Sequence, residues 1–221
     1  RMVNAKYGQS AQSNLFINDG TGGFKNQSKR YMPQVTDLGM VTDSEWSDVN
    51  GDGYVDLVVT QDWGPVVVFK NERGRKLTKQ EPVAGSEGLW ACAKPADIDG
   101  DGDLDILTYD QSNVSYKLYK DVRVEKGWSR DTFEFQIMDV CFGYFVEGFD
   151  NSVVLGECPE VVLKLRPRHY GGASCFMYDS DADGDKELVI SNIGYSRFNL
   201  IENGKAQYKN YFDTMISVDT A

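Results

Sequence analysis

One arrangement of acidic residues recurs three times in this chain: Asp48, Asn50, Asp52, Gly53 and Asp56, then Asp97, Asp99, Asp101, Gly102 and Asp105, then Asp179, Asp181, Asp183, Gly184 and Glu187. Oxygen-bearing side chains at loop positions 1, 3 and 5, with glycine at 6 for a sharp turn, wrap a hard cation that takes about six to eight oxygens. Without an ion the clustered carboxylates repel one another. Each loop is therefore read as a Ca²⁺ site, three in all, with the backbone carbonyl at position 7 (Tyr54, Asp103 or Asp185) as a further ligand.

The far end of each loop separates it from an EF-hand, where a bidentate Glu at position 12 precedes a helix. Position 12 here is Val59, Thr108 or Ile190, and the closing carboxylate comes at position 9, as Asp56, Asp105 or Glu187. The chain then runs on as Leu57-Val58-Val59-Thr60, Ile106-Leu107-Thr108-Tyr109 or Leu188-Val189-Ile190-Ser191. Such short β-branched apolar runs predict buried strands.

A second strand is predicted in each copy, at Val66-Val67-Val68-Phe69, Val114 to Tyr119, and Phe198-Asn199-Leu200-Ile201. Polar turns end two of them, Lys70-Asn71-Glu72-Arg73-Gly74 and Glu202-Asn203-Gly204, and both match Asn18-Asp19-Gly20 near the N-terminus. Asn-Gly and Asp-Gly between extended runs predict hairpins, because these residues accept positive φ. The unit is thus strand, acidic loop, strand, connection, strand, turn, strand. Four short strands make a β-propeller blade, and the predicted fold class is all-β, built of four-stranded antiparallel blades.

The stretches Ser47 to Val59 and Ala96 to Leu107 resemble FG-GAP or VCBS repeats, the calcium-bearing blades of integrin α-chain propellers and of many bacterial secreted and surface proteins. The hairpin from Asn14 to Phe24 is similar to the blade ending of the bacterial branch that also carries ASPIC/UnbV domains. No Phe-Gly precedes the loops; Gly39-Met40, Gly88-Leu89 and Gly171-Gly172-Ala173 stand nearest, which favours the bacterial VCBS-type branch over integrins proper. The resemblance implies a ring of blades with the calcium loops on one face.

The loops at 48 and 97 begin 49 residues apart, but the third begins 82 residues after the second, too long for one blade and short for two. The chain divides on this reading into a closing half-blade (1–33), a blade with a calcium loop (34–86), a second (87–122), a degenerate blade or insertion (123–172), a third calcium blade (173–211) and the start of a further strand (212–221) at Ile216-Ser217-Val218. Within 123–172, strand-like runs fall at Phe133 to Ile137 and Val161 to Leu165. Either the first and last segments complete one blade together in a single propeller, or, as the exposed sheet edges of an open stack favour, the chain is part of a larger ring, a piece of a longer chain or assembly.

A net charge of −11 argues against a nucleic-acid partner and an anionic membrane surface. Much of that charge lies in the three loops, and three divalent ions would cancel about half of it. No apolar run approaches the ~18 residues of a membrane span, so no membrane insertion is expected. Among four cysteines, Cys92 and Cys175 read as small buried residues of equivalent strands, whereas a Cys141–Cys158 disulfide could staple the irregular region. Open calcium sites fill at extracellular calcium levels, which places the chain outside the cell or on its surface.

No catalytic constellation is visible. The single histidine, His169, has no partner pattern around it, and neither a nucleophile elbow nor a P-loop occurs. Trp46 and Trp90 are expected in the core, Trp63 and Trp128 on the surface. Asn26-Gln27-Ser28 and Asn113-Val114-Ser115 are formal glycosylation sequons. The expected function is non-catalytic: an extracellular module for adhesion to a protein or glycan at the cell surface, or alternatively an architectural component of a larger surface assembly. A propeller-based polysaccharide-processing enzyme is disfavoured by the missing catalytic groups.

Overall fold

The computed structural model describes residues 10–111, 115–148, 150–158, 173–192, 194–208 and 213–220. The predicted run Val161 to Leu165, His169, and Asn113 and Val114 of the second sequon lie outside these residues. The chain opens on an antiparallel hairpin of β1 (Phe16–Asn18) and β2 (Phe24–Asn26), as Asn18-Asp19-Gly20 predicts. Asp19 closes its turn, accepting from the N–H groups of Thr21 at 3.0 Å and Gly23 at 3.1 Å.

A one-turn helix, α1 (Ser28–Tyr31), and a 3-10 turn (Pro33–Asp37) lead into three sheets of one design. The first comprises β3 (Met40–Ser47), β4 (Asp56–Gly64), β5 (Val67–Asn71) and β6 (Leu77–Lys79). The second comprises β7 (Gly88–Ala96), β8 (Asp105–Asp110), β9 (Ser115–Asp121) and, after the short helix α2 (Arg123–Lys126), β10 (Phe135–Asp139). A separate hairpin of β11 (Phe145–Glu147) and β12 (Val153–Leu155) comes next. The third sheet comprises β13 (Ala173–Tyr178), β14 (Glu187–Asn192), β15 (Phe198–Asn203) and, after α3 (Lys205–Tyr208), β16 (Met215–Thr220).

All neighbours within these sheets are antiparallel. The first two sheets join where β4 meets β7, at Asp62 opposite Leu89 and Gly64 opposite Gly88, so they form one curled surface. The result is an all-β, propeller-like stack.

Alternation along the strands builds the core between sheets, since successive side chains face opposite ways. Leu57, Val59, Val67 and Phe69 face the N-terminal segment, packing with Met32 and Val35. Val58 and Val68 face the second sheet and meet Ile106 and Tyr119. Leu107, Tyr109, Tyr116 and Leu118 in turn face the third sheet, meeting Leu188, Ile190 and Ile201, with Phe142 and Phe145 filling in from beside the extra hairpin. The second and third sheets thus each bury one apolar face against the sheet before, and the first against the N-terminal segment.

Several expectations are corrected. The fourth strand of the second sheet, β10, lies beyond residue 122, inside the segment set apart as a degenerate blade or insertion. Ile216-Ser217-Val218 does not open a new blade: it belongs to β16, whose Val218 pairs with Ile201 and closes the third sheet. The turn at Glu202-Asn203-Gly204 leads into α3 rather than a tight hairpin, whereas Lys70 to Gly74 does form one, with Arg73 at φ 55° and Gly74 at φ 73°. Trp46 is 51% exposed, because the N-terminal segment covers β4 and β5 and leaves this position of β3 open. Trp90 is fully buried, donating through Nε1 to the carbonyl of Ser86 at 2.8 Å, while Trp63 and Trp128 are exposed as expected.

Cys92 and Cys175 are not free but bridged, with Cα atoms 6.6 Å apart, and Cys141 is bridged to Cys158. The first of these ties β7 to β13, the leading strands of consecutive sheets. A register shift in β7 between Trp90 and Ala93 offsets Cys92 by one place relative to Cys175, so spacing from the acidic loops concealed the match.

Candidate metal centres

Each acidic loop joins the first and second strands of its sheet: 48–55 between β3 and β4, 97–104 between β7 and β8, and 179–186 between β13 and β14. The turn is made by backbone in the left-handed region. Position 6 is glycine throughout, Gly53, Gly102 and Gly184, at φ 89°, 92° and 98°. Position 4 is left-handed too, as Gly51, Gly100 and, in the third loop, Ala182 at φ 62°.

The position-9 carboxylates are the anchors. Asp56, Asp105 and Glu187 are 0%, 1% and 2% exposed, and each accepts the N–H of the residue at loop position 2: Val49 at 3.2 Å, Ile98 at 3.3 Å and Ser180 at 2.5 Å. Asp56 and Asp105 use their other oxygen to accept from the end of the third strand, Asn71 at 2.7 Å and Asp121 at 3.0 Å. One side chain therefore fixes the loop to two strands.

The structure brings some of the predicted ligands together: among the described residues such groups form in the second loop, without Asp105, and in the third, but not among Asp48, Asp52 and Asp56 of the first. In the second loop, oxygens of Asp97, Asp99 and Asp101 lie within 4.8 Å of one another, and so do those of Asp101, Asp103 and Glu125. In the third, Asp179, Asp181 and Glu187 form one such group and Asp183, Asp185 and Glu187 another. In the first, Asp48 and Asn50 both accept from Asp52 N–H, at 3.0 and 3.1 Å, and Asp48 also accepts from Gly53 at 2.8 Å. Tyr54 contributes no acid there; its ring is exposed.

Burial, with neighbouring acids, pushes Asp56 up to about 6, where Asp52 adds to the effect, and Asp105 up to about 8, where Asp99 does. Asp185 rises to about 6 for the same reason, and Asp103 is also raised, by burial and by Asp121. Among the described residues, no hydrogen-bond donor reaches the buried oxygens Asp103 Oδ1, Asp179 Oδ1 or Asp185 Oδ1. Orphaned acceptors of this kind in an all-oxygen donor set suit a hard divalent cation.

Position 7 does more than sequence reasoning assigned to it. Asp103 Oδ2 accepts from Val124 N–H in α2 at 3.3 Å, and Asp185 Oδ2 from Ala206 N–H in α3 at 2.7 Å. An acid at position 7 thus accompanies a helix after the third strand, and Tyr54 accompanies a tight turn. The groups missed in the sequence come from that connection. Lys120 pairs with Asp99 and Glu125 and lies 3.4 Å from Asp101. Although burial works against its charge, the Asp99 and Glu125 carboxylates hold it protonated well above the usual lysine range. A metal ion at the second loop would compete with this ammonium. Nothing in the loop spacing announces these residues, which lie about 20 positions downstream.

Residues 48–108 match the FG-GAP-like repeat family, a span that holds the first two loops and the strands between them. No individual curated protein is significantly similar to the chain.

Proposed function

We propose that this chain is a non-catalytic, calcium-stabilised β-propeller module that works outside the cell, binding a protein or glycan partner in adhesion. The observation that carries the reading is the recurrence of one loop geometry in three sheets, each time with a buried position-9 carboxylate. Asp48, Asn50, Asp52 and Asp56 would hold one ion, Asp97, Asp99, Asp101 and Asp105 a second, and Asp179, Asp181, Asp183 and Glu187 a third. Calcium would neutralise the carboxylates and fix each loop between its strands, a structural role. The FG-GAP-like match at 48–108 and two disulfides support an extracellular setting. The hairpin at Asn14 to Phe24 supports the VCBS-type bacterial branch.

Calorimetric titration with calcium, paired with thermal melts in calcium and in chelator, tests the structural part. We expect three ions per chain and a melting temperature several degrees higher with calcium; coincident melts would remove the calcium role. Glycan arrays and pull-downs against surface proteins test the recognition part, with affinity of about micromolar or better as the expected result.

A second reading, an architectural part of a larger assembly, is favoured by one face of the third sheet. Val58 with Val68 and Leu107 with Leu118 are equivalent cross-strand pairs, all at most 3% exposed under the next sheet. Their counterpart, Val189 with Leu200, is only half-buried, and beside it Phe176 and Phe198 are 59% and 47% exposed. A further sheet of the same kind would cover this face as the second covers the first.

A further inference from the structure

The connection after β9 in the second sheet reaches across to the acidic loop of the first. Arg123, 5% exposed, donates from Nη1 to the carbonyl of Asn50 at 2.7 Å. Its Nη2 lies 3.8 Å from Asp103 Oδ2, and its own N–H donates to Asp121 Oδ1 at 3.0 Å. Arg130 donates to the carbonyl of Gly51, and Lys70 at the end of β5 pairs with Asp131. Positions 3 and 4 of the first loop are therefore gripped by two guanidinium groups of the second sheet, one of which also faces the position-7 acid of the second loop.

The third sheet has the same local frame without the grip. Lys205 N–H donates to Asn203 Oδ1 at 3.2 Å, as Arg123 does to Asp121, but the Lys205 side chain turns to Asp213 at 3.3 Å within its own sheet. Among the described residues, only the first two loops are linked this way.

We infer that Arg123, with Arg130, is a positioning residue that couples cation binding at the first loop to cation binding at the second. The inference rests on the proposed calcium role of the loops. An ion at the second loop orders Asp103 and its neighbours; Asp103 holds Val124 and faces Arg123, so the donors on Asn50 and Gly51 are set before the first loop binds. The ordering cost is then shared, which makes the coupling positive and reciprocal. The third site is left independent and serves as an internal control.

Terbium, a hard ion that takes oxygen ligands, is the probe, because Tyr54 at position 7 of the first loop can sensitise its luminescence there; the signal lost on Tyr54→Phe reports that site. Asp99→Asn with Asp101→Asn disables the second loop and is expected to weaken terbium at the first loop by about fivefold or more. Arg123→Ala should weaken it similarly and abolish any further effect of the loop-two changes, as a double-mutant cycle reads. Arg130→Ala, an exposed change that leaves the core intact, should give a smaller loss, and calcium binding at the third loop should be unchanged in every variant. First-loop affinity that is indifferent to both arginines while calcium still binds three ions overturns the coupling alone. Absence of any terbium or calcium binding overturns the coupling together with the calcium reading.

Discussion

Asp56, Asp105 and Glu187 serve two ends at one carboxylate: they accept backbone N–H groups that fix the loop, and they are the acids closest to the sheet interior. The burial of Asp56 and Asp105 sets a pH dependence. Without an ion, Asp56 at about 6, Asp105 at about 8 and Asp185 at about 6 all sit above the ~3.8 of an unfolded chain. The folded state then binds more protons than the unfolded state between those values, so stability falls as pH rises from about 4 to about 8. Calcium, if bound as proposed, would favour the ionised forms and remove the penalty. Melts in chelator from about pH 5 to about pH 8 should show a falling transition temperature, and saturating calcium should abolish the fall; equal slopes in both conditions would contradict it.

At the scale of elements, the two disulfides constrain very different lengths of chain. Cys92–Cys175 closes a separation of 83 residues between the leading strands of neighbouring sheets, and Cys141–Cys158 closes 17 within the irregular region. Chain entropy scales slowly with loop length, giving about 4 to 5 kcal/mol for the longer and about 3 kcal/mol for the shorter. Paired Cys→Ser variants, compared by denaturant unfolding, should lose stability in that order. The hydrophobic runs after each acidic loop were legible as strands because apolar β-branched residues have few other places to go. The helices α2 and α3 were not legible: each is one turn, and α2 is capped by an acid from a loop about 20 residues upstream. Trp46 failed for a related reason, since its exposure depends on how far the N-terminal segment spreads over β3.

Across the whole molecule, sheets stack so that each covers the last, and the third sheet keeps an open aromatic face on which Phe176 and Tyr178 stack at 5.7 Å between ring centroids. Phe198 occupies the place that Tyr116 fills in the second sheet, opposite Ser191 and Tyr109 respectively, yet one is 47% exposed and the other 1%. Phe198→Ala should therefore cost less than ~1 kcal/mol in this chain, and Tyr116→Ala about 3 to 5 kcal/mol. Urea unfolding of the two variants checks this; a large loss from Phe198→Ala would mean that the face is already covered in solution.

The sequence by itself determined the repeating unit, the acidic loops and the strands that flank them, because these depend on neighbours a few residues away: acids at alternate positions, glycine at the turn, apolar runs beside it. Tertiary structure alone decided the Cys92–Cys175 bridge, the arrival of Lys120 and Arg123 at the loops, and which apolar face stays open. Those outcomes depend on how one sheet lies on the next, and contacts between residues separated by 73 or 83 positions leave no local mark on the chain.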